Sequence, residues 1–255
     1  MNGTITYETR EIESLNGFIS ELEKDYSNYD GSVWYRGQSN ATYKLLPSYT
    51  RDKDVKEYPP ETTLLSAFKQ NAIMLTSKQP TNSFDRMFLM QHYGIPTRLL
   101  DWSESPLVAL YFALKNINNT NDAVVWSLKP TELNKIAHIN NPSEDFFIPS
   151  CDDMDVLKYS IDTMKLDTGN TGYLPIAVIA SRNNVRIQAQ QGVFTIHYKG
   201  NEPIEELSNG EHVIKYIIKK EHIKTISKQL SILGINKFQL FPELASIKDV
   251  ILKGN

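Results

Sequence analysis

The sequence predicts an α+β fold: a central, mostly antiparallel sheet with helices packed on it from the N-terminal half. Three observations support this. Apolar residues recur at helical spacing through much of the first half of the 255 residues. Short apolar or alternating runs dominate the middle and later part. The two do not alternate regularly, as they would in a doubly wound sheet.

In residues 10–26, Ile12, Leu15, Phe18, Ile19, Leu22 and Tyr26 fall at helical spacing between charged residues. This gives an amphipathic helix over about 10–28. Asp30-Gly31 signals a turn, and Ser32-Val33-Trp34-Tyr35-Arg36 reads as a short strand. A charged loop ends in Pro59-Pro60, and Glu61 to Ser77 reads as a second helix. Ser83 is a candidate cap for the helix that carries His92 and stops at Gly94. Ser103-Glu104-Ser105-Pro106 combines a cap, an acid and an early proline, which opens a further helix. Its body, Leu107 to Leu114, is apolar nearly all round and should be central. Strands are expected at Ala123–Leu128, Leu174–Ala180, Gly192–Tyr198 and Val213–Ile218, with a helix from Glu221 to Leu233 ended by Gly234. Residues 138–172 form a polar excursion, and Phe241-Pro242-Glu243-Leu244 leads into a short terminal helix. No linker is visible, so 1–255 is taken as one domain with its core over about 30–250.

Composition is that of an ordinary globular chain, with 40% hydrophobic and 22% charged residues and a net charge of -3. Such a balance lacks the basic excess of a nucleic-acid binder. One cysteine, Cys151, cannot form a disulfide within the chain and sits among acids. The N-terminus lacks the basic and apolar regions of a signal, and the apolar run at 106–114 is short of a membrane span. A cytoplasmic protein without membrane contact is expected. There is no dinucleotide-binding glycine pattern, P-loop, cysteine pair, His-x-x-x-His or Gly-x-Ser-x-Gly. No metal is expected.

Three constellations remain. In Trp34-Tyr35-Arg36-Gly37-Gln38-Ser39, Arg36 ends a strand beside a glycine that would let a ligand approach. Its guanidinium either forks onto a phosphate or carboxylate or pairs with an acid of the protein. The segment from Gln91 to Ser103 packs His92, Tyr93, Thr97, Arg98, Asp101, Trp102 and Ser103 together. These polar groups must satisfy one another or a ligand. The local alternative is an Arg98–Asp101 bracket, with His92 and Trp102 as core residues. The third is Arg186 to Phe194, where Gln190-Gln191 precede Gly192 at a strand entrance or in a solvated turn.

Together, Tyr35-Arg36-Gly37, the Gln91–Ser103 segment, Leu107–Ala113, Gln191-Gly192-Val193-Phe194 and Leu240-Phe241-Pro242-Glu243-Leu244 resemble the FRG domain family. Ser103 stands where the family often has Thr, and Glu243-Leu244-Ala245-Ser246 where Asp-Leu-Asp-Gly is expected. The family's layout is similar to that of ADP-ribosyltransferases. The resemblance implies that Arg36, Ser103 and Gln191 occupy the Arg, hydroxyl and late-strand positions of such a site, with His92 as an acid or base. NAD would be the substrate, held by Arg36, Tyr93, Thr97, Arg98, Asp101 and Trp102. A neutral Gln191 cannot support a developing cation as Glu would, so Asp101 or Glu104 would have to. The resemblance also implies a setting in bacterial or phage defence and a macromolecular acceptor or protein partner. The alternatives are a non-catalytic module that binds a nucleotide or protein, and a nuclease or hydrolase of unfamiliar type.

Overall fold

The computed structural model describes residues 7–51, 57–72, 74–75, 80–115, 120–166, 172–180 and 184–243. Among these the chain forms one seven-stranded mixed sheet. In chain order its elements are β1 (Glu8–Ile12), α1 (Leu15–Tyr26), β2 (Trp34–Gln38), α2 (Ser48–Arg51), α3 (Glu61–Ala72), α4 (Ser83–His92), β3 (Leu99–Ser103) and α5 (Pro106–Leu114). There follow β4 (Ala123–Leu128), α6 (Pro130–Ile136), α7 (Met154–Leu157), α8 (Ile161–Leu166), β5 (Ile176–Val178) and α9 (Val185–Ala189). The last are β6 (Gly192–Ile196), a 3₁₀ turn at Ile204–Glu206, β7 (Val213–Ile218), α10 (Lys220–Ile232) and α11 (Lys237–Leu240). The sheet order is β1-β7-β4-β2-β3-β6-β5, parallel only between β1 and β7.

Two expectations change at the boundaries. The amphipathic helix starts at Leu15, capped by Ser14, whose side chain accepts from the Gly17 amide. Residues 8–12, partly assigned to it from sequence, form edge strand β1 instead. That strand buries only Ile12, so its pairing comes from the β7 backbone and leaves no alternation to read. The cap of α4 is Asn82, which accepts from the Asp85 amide, with Ser83 already inside the helix. The terminal helix expected after Leu244 lies outside the described residues.

Side-chain alternation divides the core by face. One face of the whole sheet carries Trp34, Leu100, Trp102, Val124, Trp126, Ala177 and Val193, covered by Leu45, Leu133, Ile204 and Leu207. The other face is covered by two separate helix groups. Over β1-β7-β4-β2, α1, α5 and α10 bury Phe18, Leu110 and Ile226 against Tyr35, Val125 and Tyr216. Over β3-β6-β5, α3 and α4 bury Leu65, Phe84, Met87 and Met90 against Leu99, Phe194, Ile196 and Ile176. Residues of the 138–166 excursion, including Val156 and Tyr159, complete this second group.

Between the groups the sheet has a seam. Strands β2 and β3 share one registered pair, Tyr35–Ser103, whereas β2–β4 and β3–β6 each share five. Near this seam α5 lies directly on β2. A Cβ on Gly37 would meet the Ala109 carbonyl oxygen at 1.8 Å and the Ala113 amide nitrogen at 2.5 Å. Gly37 is therefore required by the close approach of the α5 backbone, whatever its place at the cavity.

Buried histidines add a pH dependence to this core. His197 is 1% exposed, its ring nitrogens lack hydrogen-bond partners, and burial pushes its pKa down to about 3. Burial shifts His212 in the same direction. The folded state thus refuses a proton that the unfolded chain accepts below about pH 6.5, so stability is full above that value. It is lost as pH falls, at roughly 1.4 kcal/mol per unit for each such group until its folded pKa is reached. Denaturant titrations at pH 7 and 4.5 should show this loss, and His197→Leu should remove about 2–3 kcal/mol of the difference. An unchanged difference in that variant would assign the effect elsewhere.

Candidate active site

A cavity of about 700 Å³ opens at the seam, lined by Tyr35, Arg36 and Gly37 of β2, Asp101, Trp102 and Ser103 of β3, and Gly192 and Phe194 of β6. Helix α4 adds Asp85, Phe88 and His92, α5 adds Ala109 and Phe112, and α9 adds Arg186 and Ile187. Its size suits a nucleotide-sized ligand.

Arg36 is the chief electrostatic feature. By alternation it belongs with Trp34 and Gln38 on the far face, and the residue is among those that line the cavity. Nη1 donates to the Asp101 carbonyl across the seam at 2.6 Å. Nε is shut off from solvent without a hydrogen-bond partner. Among the described residues no carboxylate is in salt-bridge contact with it, although Asp101 lies near enough to oppose the effect of burial. Burial pushes its pKa down to about 10, so it stays a cation at neutral pH, incompletely solvated and incompletely paired.

His92 closes the end of α4. Its Nε2 lies 3.4 Å from Glu243 Oε1, and burial lowers its pKa, leaving a neutral imidazole at pH 7. Beside it Tyr93 is 65% exposed at the cavity wall, its ring set edge-on to the His92 ring with centroids 4.9 Å apart. Asp101 is exposed and faces the same space.

Other residues predicted for the site are committed elsewhere. Thr97 is fully buried and donates to the Gln91 side chain. Arg98 is also buried and lies outside the cavity, so the expected Arg98–Asp101 bracket is corrected. Its Nε is 2.8 Å from Glu61 Oε2, though not aligned for a hydrogen bond. Its other nitrogens donate to the carbonyls of His197 and Tyr159. The Trp102 indole belongs to the far-face core, and its Nε1 donates to Thr195 Oγ1 at 3.0 Å, so it is not placed to stack on a ligand. Ser103 lines the cavity, but its hydroxyl donates to the Gln190 carbonyl at 2.7 Å and accepts from the Ser105 amide at 3.0 Å. It ties β3 and the start of α5 to the end of α9. Gln191 is exposed, adopts a φ of 47° and is not among the lining residues, whereas its neighbours Gln190 and Gly192 are. Glu104 donates its amide to the Gln191 carbonyl at 3.0 Å and is likewise absent from the lining.

Sequence reasoning missed Arg186, which stands in the first turn of α9 behind an Asn184 cap. The Asn184 cap and the helix-forming Val185–Ala189 run were available as signals. The sequence reading rests instead on Gln190-Gln191 before the strand. Cys151 also reaches the wall, with burial raising its thiol pKa to about 12, which keeps it a neutral thiol.

The FRG domain model matches residues 31–122, from the turn before β2 to the residue before β4. No curated protein and no solved structure matches the chain. Among the described residues, no helix is long and apolar enough to cross a membrane, and no three His, Cys, Asp or Glu side chains gather as a metal site.

Proposed function

We propose that the seam cavity binds a phosphate-bearing nucleotide, with NAD as the first candidate and Arg36 as the residue that holds phosphate. The observation that carries this is the half-buried Arg36 guanidinium with its Nε shut off from solvent. Its Nε has no partner, its Nη1 is bonded to a neutral carbonyl, and it lines a cavity of about 700 Å³. An anion would supply the missing countercharge and the missing acceptor together. Tyr93 would receive the base or nicotinamide ring.

A second reading, ADP-ribosyl transfer from NAD, is favoured by the placement of the three candidate segments on adjacent strands β2, β3 and β6. Breaking the glycosidic bond of NAD develops positive charge on the ribose. Asp101, exposed at the cavity, is the carboxylate available to face that charge, and neutral His92 is the group available to accept a proton. A transferase of this kind would act in bacterial or phage conflict, on the family's expectation alone.

NAD binding by calorimetry and nicotinamide release by chromatography, with cell lysate as acceptor, test both readings. Binding with release supports the transferase. Binding without release supports a nucleotide-recognition module. Absence of both removes NAD as the ligand.

A further inference from the structure

Arg186 lines the same cavity as Arg36 but is carried by a helix, in the first turn of α9. Its guanidinium lies over the Phe241 ring, 4.6 Å from the centroid, and Nη1 donates to the His92 carbonyl at 3.4 Å. Phe241 is itself held edge-on against Phe112, with centroids 5.8 Å apart. Among the described residues no carboxylate is in salt-bridge contact with Arg186. A guanidinium carries five N–H donors, and one long bond leaves most of them unspent. Stacking fixes the plane of the group, so little side-chain freedom would be lost on binding.

We propose that Arg186 is a second anion-binding residue of this cavity, and that the ligand class is therefore a nucleoside diphosphate or a dinucleotide. Arg36 takes one phosphate and Arg186 the other. This rests on the nucleotide reading above and narrows it. A monophosphate would leave one of the two cations without a countercharge. A pyrophosphate has two anionic centres to offer, and guanidinium forks suit phosphate oxygens. The α11–Phe241 segment then has a positioning role, because Phe241 orients Arg186 and the Leu240 carbonyl accepts from Gln190 Nε2 at 2.9 Å.

The test is calorimetric titration of AMP, ADP and NAD into the wild-type protein, Arg186→Gln and Arg186→Lys, with melting curves of each. Wild type should bind ADP and NAD at least about tenfold more tightly than AMP. Arg186→Gln should bring ADP down to the level of AMP while leaving AMP nearly unchanged. Arg186→Lys should keep part of the preference, because charge remains but the fork is lost. Equal wild-type affinity for AMP and ADP would overturn the proposal without reference to any variant. So would an Arg186→Gln protein that melts normally and retains the preference, or loses AMP and ADP alike. A wild-type protein that binds none of the three would overturn the nucleotide reading itself, and this proposal with it.

Discussion

Arg36→Met is expected to weaken nucleotide binding by roughly thirtyfold or more while raising the melting temperature. The two effects have one cause. In the folded chain this guanidinium is largely withdrawn from water with one carbonyl bond and an unpartnered Nε, an arrangement that costs stability until an anion arrives. Methionine fills similar space without the charge, at the loss of one hydrogen bond. The net effect should be a rise of a few degrees. Removing one partner of a buried, hydrogen-bonded charge pair typically costs about 2–5 kcal/mol, so affinity should fall by roughly thirtyfold or more. Thermal melts and titration on the same preparation check both effects. If the variant melts lower and still binds, Arg36 is a structural residue and the site lies elsewhere.

Gly37→Ala should be the most damaging single-methyl change near the site. The added carbon would stand 1.8 Å from the Ala109 carbonyl oxygen and 2.5 Å from the Ala113 amide, both of them backbone atoms of α5. No rotamer change relieves a backbone clash, so the helix must lift from the sheet. Overpacking typically costs about 1–3 kcal/mol, and this contact belongs at or above the upper end. A loss of about 3 kcal/mol would lower the melting temperature by roughly 10 °C in a chain of this size. A melting point within a degree or two of wild type would show that α5 is not seated on β2 as described. Because α5 lines the cavity through Ala109 and Phe112, surviving protein should also bind more weakly.

The sequence revealed the fold class, the five longest helices and the strands at 123–128 and 213–218, because those helices are long enough to show their period and those strands are apolar runs bounded by turns. It also marked Tyr35-Arg36-Gly37 and the stretch from His92 to Ser103 as the place to look. It failed where meaning depends on contacts made far along the chain. Gly37 looked like a ligand-facing glycine because nothing local announces Ala109 above it. Arg98 and Asp101 looked like a bracket because they are close in sequence. Extended chain advances about 3.3 Å per residue and alternates faces, so it carries them apart, and Arg98 finds Glu61 instead. The same alternation sends Trp102 into the far-face core while Asp101 faces the cavity. Gln191 falls in a turn with left-handed backbone, and its side chain is exposed and outside the cavity lining. Arg186 could not be singled out because the ring that fixes it, Phe241, enters from the end of the described chain.

The stretch that carries the family's signature is also unable to stand by itself. Residues 31–122 supply β2 and β3, the two middle strands of the seam, but their outer neighbours β4 and β6 come from beyond the match. Cut out alone, that segment would expose two raw hydrogen-bonding edges, and the far face holding Trp34, Leu100 and Trp102 would lose most of its cover. Such a fragment should aggregate in place of folding, which light scattering of the excised piece would reveal. What can be recognised in the sequence is therefore smaller than what is heritable as a working object. Any gene fusion or recombination that moves the signature must carry the flanking strands with it, or deliver a motif without a pocket.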